Sequence, residues 1–89
     1  METITEEVAE LKEQVVKEHI LVLFDDNVNT FDHVIELLIK VCNHEALQAE
    51  QCAMLVHYKG KCAVKNGELK ELTIMGELLA DSGLTVEIN

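Results

Sequence analysis

The spacing of apolar residues changes rhythm several times along this chain, and each change marks an element. His19-Ile20-Leu21-Val22-Leu23-Phe24 is apolar almost throughout and short, the signature of a covered strand. A polar turn, Asp25-Asp26-Asn27, follows. Phe31, Val34, Ile35, Leu37, Leu38, Val41 and Cys42 then recur at three- and four-residue intervals, one face of an amphipathic helix. Asn29 or Thr30 can cap it, and Asp32 suits its first turn. Asn43-His44-Glu45 breaks the rhythm before a second helix carrying Leu47, Cys52, Leu55 and Val56, closed at Gly60, where a left-handed residue belongs.

Lys61 to Val64 and Lys65 predict a short strand, with Asn66-Gly67 as a tight-turn signal. Leu69, Leu72, Met75 and Leu79 mark a third helix ending near Gly83, and Leu84-Thr85-Val86-Glu87-Ile88 alternates as a final strand. The order β-α-α-β-α-β, three short antiparallel strands with three helices, predicts a small α+β sandwich. Residues 1–18 form an acidic extension of six Glu and two Lys. Thr5 stands there as a possible cap before a thin stripe of Val8, Leu11 and Val15. Residues 19–89 form the core domain.

At 89 residues the chain is one domain with little apolar surface to spare. No apolar run approaches the ~20 residues of a membrane span. The N-terminus lacks the basic-then-apolar pattern of a signal peptide, so a cytoplasmic location is expected. Cys42, Cys52 and Cys62 cannot all pair within one molecule, and reduced thiols are the natural state. They lie ten residues apart, without the close pairs that structural zinc sites use, so no metal and no cofactor are expected. The formal charge is −10, all seven basic residues are Lys and none is Arg. Nucleic-acid recognition leans on basic patches and Arg forks; this chain should attract cations instead.

The polar turn between the first strand and the first helix can hold a cation, cap the helix, or do both. Asp25 and Asp26 near a His raise the possibility of acid–base catalysis, but no nucleophile, Gly-rich loop or metal motif accompanies them, and a non-enzyme is expected. His57 falls in the last turn of the second helix, where its plain reading is a favourable contact with the helix dipole. Phe31, Val34, Ala53, Val56 and Leu84 read first as packing. Residue types and spacing thus lead to an acidic α+β binding domain.

From Ile20 to Lys61 the chain resembles the ClpS family, adaptors that deliver N-degron substrates to a Clp AAA+ protease. The resemblance rests on the apolar strand, Asp25-Asp26-Asn27, Asn29, Phe31-Asp32-His33-Val34 and Val56-His57-Tyr58-Lys59-Gly60-Lys61. It implies a non-catalytic monomer that binds polypeptides beginning with Leu, Phe, Tyr or Trp and docks on the N-terminal domain of a Clp unfoldase. The substrate's free α-amino group would be held by Asp25, Asn27 and His57. Its first side chain would enter a pocket of Leu23, Asn29, Phe31, Val34, Ala53, Val56 and Leu84. Relative to the family pattern, amide and carboxylate have exchanged places at Asp25 and Asn27. Phe31 replaces the usual Met gate, Ala53 replaces a larger residue, and the family's docking sequence is missing between Val64 and Ile74. The rival from another class is an interaction or regulatory domain of the same fold that does not read N-termini; a further rival is a small acidic enzyme using Asp25, Asp26 and His57.

Overall fold

The computed structural model describes residues 18–89; the predicted stripe and cap before them lie outside the described residues. Six elements follow in the predicted order: β1 (His19–Phe24), α1 (Phe31–Cys42), α2 (Ala46–Lys59), β2 (Lys61–Gly67), α3 (Leu69–Asp81) and β3 (Thr85–Ile88). The sheet is antiparallel, ordered β2-β1-β3, with Leu21 and Leu23 of the central strand at 0% and 1% exposure. Leu38 and Cys42 of α1, Cys52 and Val56 of α2, and Leu72 and Leu79 of α3 complete the core with Val64 and Leu84.

Thr30, not Asn29, caps α1: its Oγ1 accepts from the His33 N–H at 3.1 Å. Asn43 ends the helix in the left-handed conformation, φ 57°. Gly60 does the same for α2, at φ 89°.

Three expectations need correction. Asn66 and Gly67 do not turn; they continue β2 opposite Ile20 and His19, and the positive-φ glycines among the described residues are Gly60 and Gly83. A two-residue hairpin turn needs a strand on its far side, and here a helix starts at Leu69. The buried face of α2 is also rotated from the one that Leu47 and Leu55 suggested. Both are exposed, at 64% and 46%, while Ala49, Cys52, Ala53 and Val56 face inward. Leu69 likewise lies at the surface of α3, at 51%. Small residues at the inner face let α2 sit close to α1 and the sheet, which hydrophobicity alone does not rank.

The register of β1 with β2 shifts by one residue between Leu21 and Val22, leaving Val64 extra. Such a bulge frees a ladder group. Buried His44 supplies the partner, its Nε2 donating to the Val64 carbonyl at 2.6 Å. The Nδ1 on the far side of that ring is buried without a hydrogen-bond partner. Lys65 Nζ donates to the Cys42 carbonyl at the end of α1. The α1–α2 junction is thereby fastened to β2.

Candidate functional site

The site begins where β1 runs out. The Asp25 N–H donates to the Gly60 carbonyl at 2.9 Å, and the Gly60 N–H donates to the Val56 carbonyl at 2.9 Å. The C-terminal turn of α2 is therefore pinned to the end of β1. His57, thirty-two positions from Asp25 in the sequence, comes to face the same cavity.

The turn itself is built by Asp26. Its Oδ1 accepts from the backbone N–H of Val28 at 2.8 Å and of Asn29 at 2.7 Å. Its Oδ2 accepts from the Asn29 side-chain amide at 2.8 Å. This is an Asx-type turn, the local bonding that Asp and Asn favour before helices. The Asn29 backbone N–H first, and its side-chain amide second, hold the Asp26 carboxyl below the ordinary carboxylate range; the charge of His33 adds a smaller pull in the same direction.

Asn29 also reaches across the chain. Its Nδ2 donates to the Gly83 carbonyl at 2.8 Å, and His33 Nε2 donates to the Ser82 carbonyl at 3.1 Å. A carbonyl oxygen only accepts, so Nε2 carries the proton. These two bonds clamp the α3–β3 loop to the start of α1. Gly83 adopts φ +95°, a left-handed conformation that glycine takes without strain; a Cβ there would meet Asn29 Oδ1 only at an ordinary 3.6 Å, so it is the backbone that asks for glycine.

A cavity of about 60 Å³ opens between the turn and the two helices, lined by Asp25, Asp26, Asn29, Phe31, Val34, Ala53, Val56 and His57. Val34, Ala53 and Val56 make an apolar floor, with the last two at 3% and 5% exposure. Phe31 and His57 stand together at its side, ring centroids 5.4 Å apart and tilted by 57°. Tyr58 meets His57 edge-on at 5.0 Å.

Seven of the residues singled out from sequence meet here: Asp25, Asn29, Phe31, Val34, Ala53, Val56 and His57. The other three do not line the cavity. Asn27 is exposed on the turn. Leu23 is buried on the inner face of the sheet, between Cys62 and Val86. Leu84 is buried just before β3. Asp26 is also in the lining; sequence reasoning weighed it as a catalytic carboxylate or a cap, left it out of the amine-binding set and did not assign it the building of the turn. The signal was available, since an Asp followed at the second and third positions by free N–H groups before a capped helix is the pattern of an Asx turn.

Both amide protons of Asn29 are committed, one to Asp26 and one to Gly83, so Oδ1 is what remains to offer a ligand. Asp25 offers a carboxylate. The polar wall is thus rich in acceptors, beside an apolar floor. That combination suits a cationic donor group attached to a hydrophobic body. Among the described residues no group of three or more His, Cys, Asp or Glu converges to hold a metal ion. The three thiols are unpaired with one another; burial pushes Cys42 up, and burial followed by the neighbouring Cys62 thiol pushes Cys52 up to about 12.

The fold has a solved counterpart. The structure of ClpS2 from Agrobacterium tumefaciens, bound to L-phenylalaninamide, superposes with a TM-score of 0.71 over 82% of this chain and 95% of that one, at 18% sequence identity. The family profile described as ATP-dependent Clp protease adaptor protein ClpS matches residues 14–87. With that match running from before β1 to the last strand, and with the three-stranded antiparallel sheet and helices in the same order, this chain belongs to the ClpS family of Clp protease adaptors.

Proposed function

We propose that this chain is a non-catalytic adaptor that binds the free α-amino group and bulky first side chain of N-degron polypeptides and delivers them to a Clp AAA+ unfoldase. The observation that carries the reading is the union, in one cavity, of an acceptor-rich wall and an apolar floor. An α-ammonium offers three donors. Asp25 and His57 accept from it, with Asn27 reaching in from the exposed turn. The first side chain enters over Val34, Ala53 and Val56, passing Phe31 and Asn29, with Leu23 and Leu84 as packing behind. The solved relative's ligand, L-phenylalaninamide, combines a free amine with a large apolar side chain, which supports the same division of labour.

The cavity must enlarge to take such a side chain. A cavity that admits benzene measures about 150 Å³, against about 60 Å³ here. Phe31, first residue of α1 and 42% exposed, is the gate able to swing aside. Burying a Leu or Phe side chain gives about 1.5–3 kcal/mol, and charge-assisted hydrogen bonds give about 1.5–3 kcal/mol each before desolvation. Neither half alone makes a stable complex, so recognition needs amine and side chain together.

Titration with peptides beginning with Leu, Phe, Tyr or Trp, their N-acetylated forms, and Met- or Val-initiated controls tests this directly. Binding should require both the free amine and the bulky side chain. Equal binding of the acetylated forms would replace this reading with a protein-interaction domain that ignores N-termini, and turnover of any of them would favour an enzyme.

A further inference from the structure

The far edge of the sheet carries a second concavity, separate from the amine site. A groove of about 300 Å³ runs between α3 and β3, with Gly76, Ala80, Val86 and Ile88 as its apolar floor and Glu77 and Glu87 at its rim. β3 is an outer strand of the sheet, and its inner edge is committed to β1. Ile20 and Asn89 exchange both backbone hydrogen bonds, at 3.0 and 2.9 Å. Bonded and non-bonded pairs alternate along an antiparallel ladder. Counting on through the register makes Val22–Glu87 and Phe24–Thr85 the next bonded pairs. The N–H and C=O groups of Val86 and Ile88 therefore point outward from the free edge. Among the described residues no further strand pairs with them.

Two more observations bear on what the groove is for. Gly76 lies inside α3, where glycine weakens a helix relative to alanine. A methyl group there would stand 3.5 Å from Leu21 Cδ1 and 3.7 Å from Val86 Cγ2, ordinary contact distances. Packing does not demand the glycine; its missing side chain deepens the groove. Glu77 and Glu87 are exposed, and among the described residues the one ion pair joins Lys40 to Glu36, so neither rim carboxylate has a cationic partner there. Carboxylates beside an open strand edge repel a second copy of the same edge and attract an extended chain bearing cations.

We propose that the α3–β3 groove docks an extended, Lys- or Arg-bearing segment of a partner polypeptide, which adds to β3 as a fourth strand. Strand addition draws affinity from main-chain hydrogen bonds and specificity from alternate side chains. The outward groups of Val86 and Ile88 supply the main-chain bonds. Apolar side chains of the segment lie over Gly76 and Ala80 beside Glu77, and its basic side chains, on the other face of the added strand, reach Glu87, which alternates with Val86 and Ile88. No free α-amine is needed, so this site is independent of the proposed cavity at the turn.

The probe is an N-acetylated, C-amidated heptapeptide of alternating valine and lysine, titrated into the full chain and followed by amide NMR and hydrogen exchange. Shifts should centre on Gly76, Val86 and Ile88, with the Val86 and Ile88 amides protected. Glu77→Lys together with Glu87→Lys should weaken binding at least tenfold. Ala80→Trp, at an exposed groove position, should abolish it, and so should N-methylation of the peptide along its pairing edge. No shifts at millimolar peptide, shifts centred on Asp25 and His57, or equal binding of the N-methylated peptide would overturn the proposal. So would a concentration-dependent dimer joined through β3.

Discussion

Replacing Asn29 by alanine probes the junction on which the site is hung. The substitution removes two hydrogen bonds of 2.8 Å, to the Asp26 carboxylate and to the Gly83 carbonyl. It leaves the residue 29 backbone N–H bonded to Asp26 Oδ1. The junction is open to solvent, so the lower ends of the usual ranges apply: ~1.5 kcal/mol for the charged acceptor and ~0.5 kcal/mol for the neutral one. A loss of about 2 kcal/mol corresponds to a fall in Tm of roughly 8–16 °C for a domain of this size. Val28→Ala is the control, since that side chain is 87% exposed and should stay within about 0.5 kcal/mol.

The same variant makes a pH prediction whose sign follows from Asp26. Its folded carboxyl lies below the ordinary value of 3.8, because of the Asn29 backbone N–H first and the Asn29 amide second. A depressed folded pKa gives stability that is present above the unfolded value and is lost as pH falls through the folded one. Asn29→Ala removes only the second of those causes, so the Asp26 pKa should rise yet stay below ordinary. The deficit of the variant should therefore be largest near neutrality and shrink below about pH 4, toward the ~0.5 kcal/mol of the Gly83 bond alone. Urea unfolding followed by circular dichroism at both ends of that range measures it. A deficit under about 0.5 kcal/mol at pH 7, or one that does not change with pH, would refute the reasoning.

Asp25→Ala should cut affinity for a Phe-initiated peptide at least tenfold with little change in Tm, whereas Asp26→Ala should lower Tm first; the reverse pattern in paired titrations and melts would exchange their roles. His57 lines the cavity and is itself exposed, so His57→Phe should weaken binding of a Phe-initiated peptide in the same titrations with little change in Tm; unchanged affinity would remove His57 from the amine site. Iodoacetamide at mild alkaline pH should label half-buried Cys62 first, leaving buried Cys42 and Cys52 until unfolding; mass spectrometry showing Cys52 labelled equally fast would contradict the raised thiol pKa of about 12. Gly76→Ala should stabilise the fold by about 1 kcal/mol, because its methyl meets Leu21 and Val86 at contact distance without overlap; a lower Tm would mean the groove floor is tighter than its geometry.

Element order was legible because periodicity and punctuation agreed at most junctions. The α1 stripe, a cap at Asn29 or Thr30 and the left-handed Gly60 each follow from residue type and position, though only the structure chooses Thr30. Legibility failed where tertiary contact outvoted local preference. Ala49 is buried in α2 while Leu47 and Leu55 are exposed, because close approach between helix and sheet selects size over hydrophobicity. Asn66-Gly67 has the composition of a turn but is held extended by pairing with Ile20 and His19. The Val64 bulge and its His44 partner left no local trace, since a bulge is a property of two strands. At the site, residue types announced a polar turn and an apolar helix face. The pairing of β1 with β2, continued by the bond from Asp25 N–H to the Gly60 carbonyl, brings His57 to them, and no spacing rule encodes it.

That bond also gives physical meaning to the departure of Asp25-Asp26-Asn27 from the ClpS pattern. The two flanking positions are not equivalent in this structure. Both are exposed, but the backbone of residue 25 is fixed by the Gly60 carbonyl and the residue lines the cavity, whereas residue 27 does not line it. A full charge acts most strongly where it is held in place, while an amide can serve from a position that must move to reach a ligand. Exchanging Asn and Asp therefore puts the carboxylate on the fixed side of the turn. Asp26 is already committed to the Val28 and Asn29 amides, so it holds the turn's shape without competing for the ligand. On the proposed function, three adjacent polar residues thus divide into a fixed acceptor, a scaffold and an exposed acceptor. The order of the types matters because the backbone of each position differs.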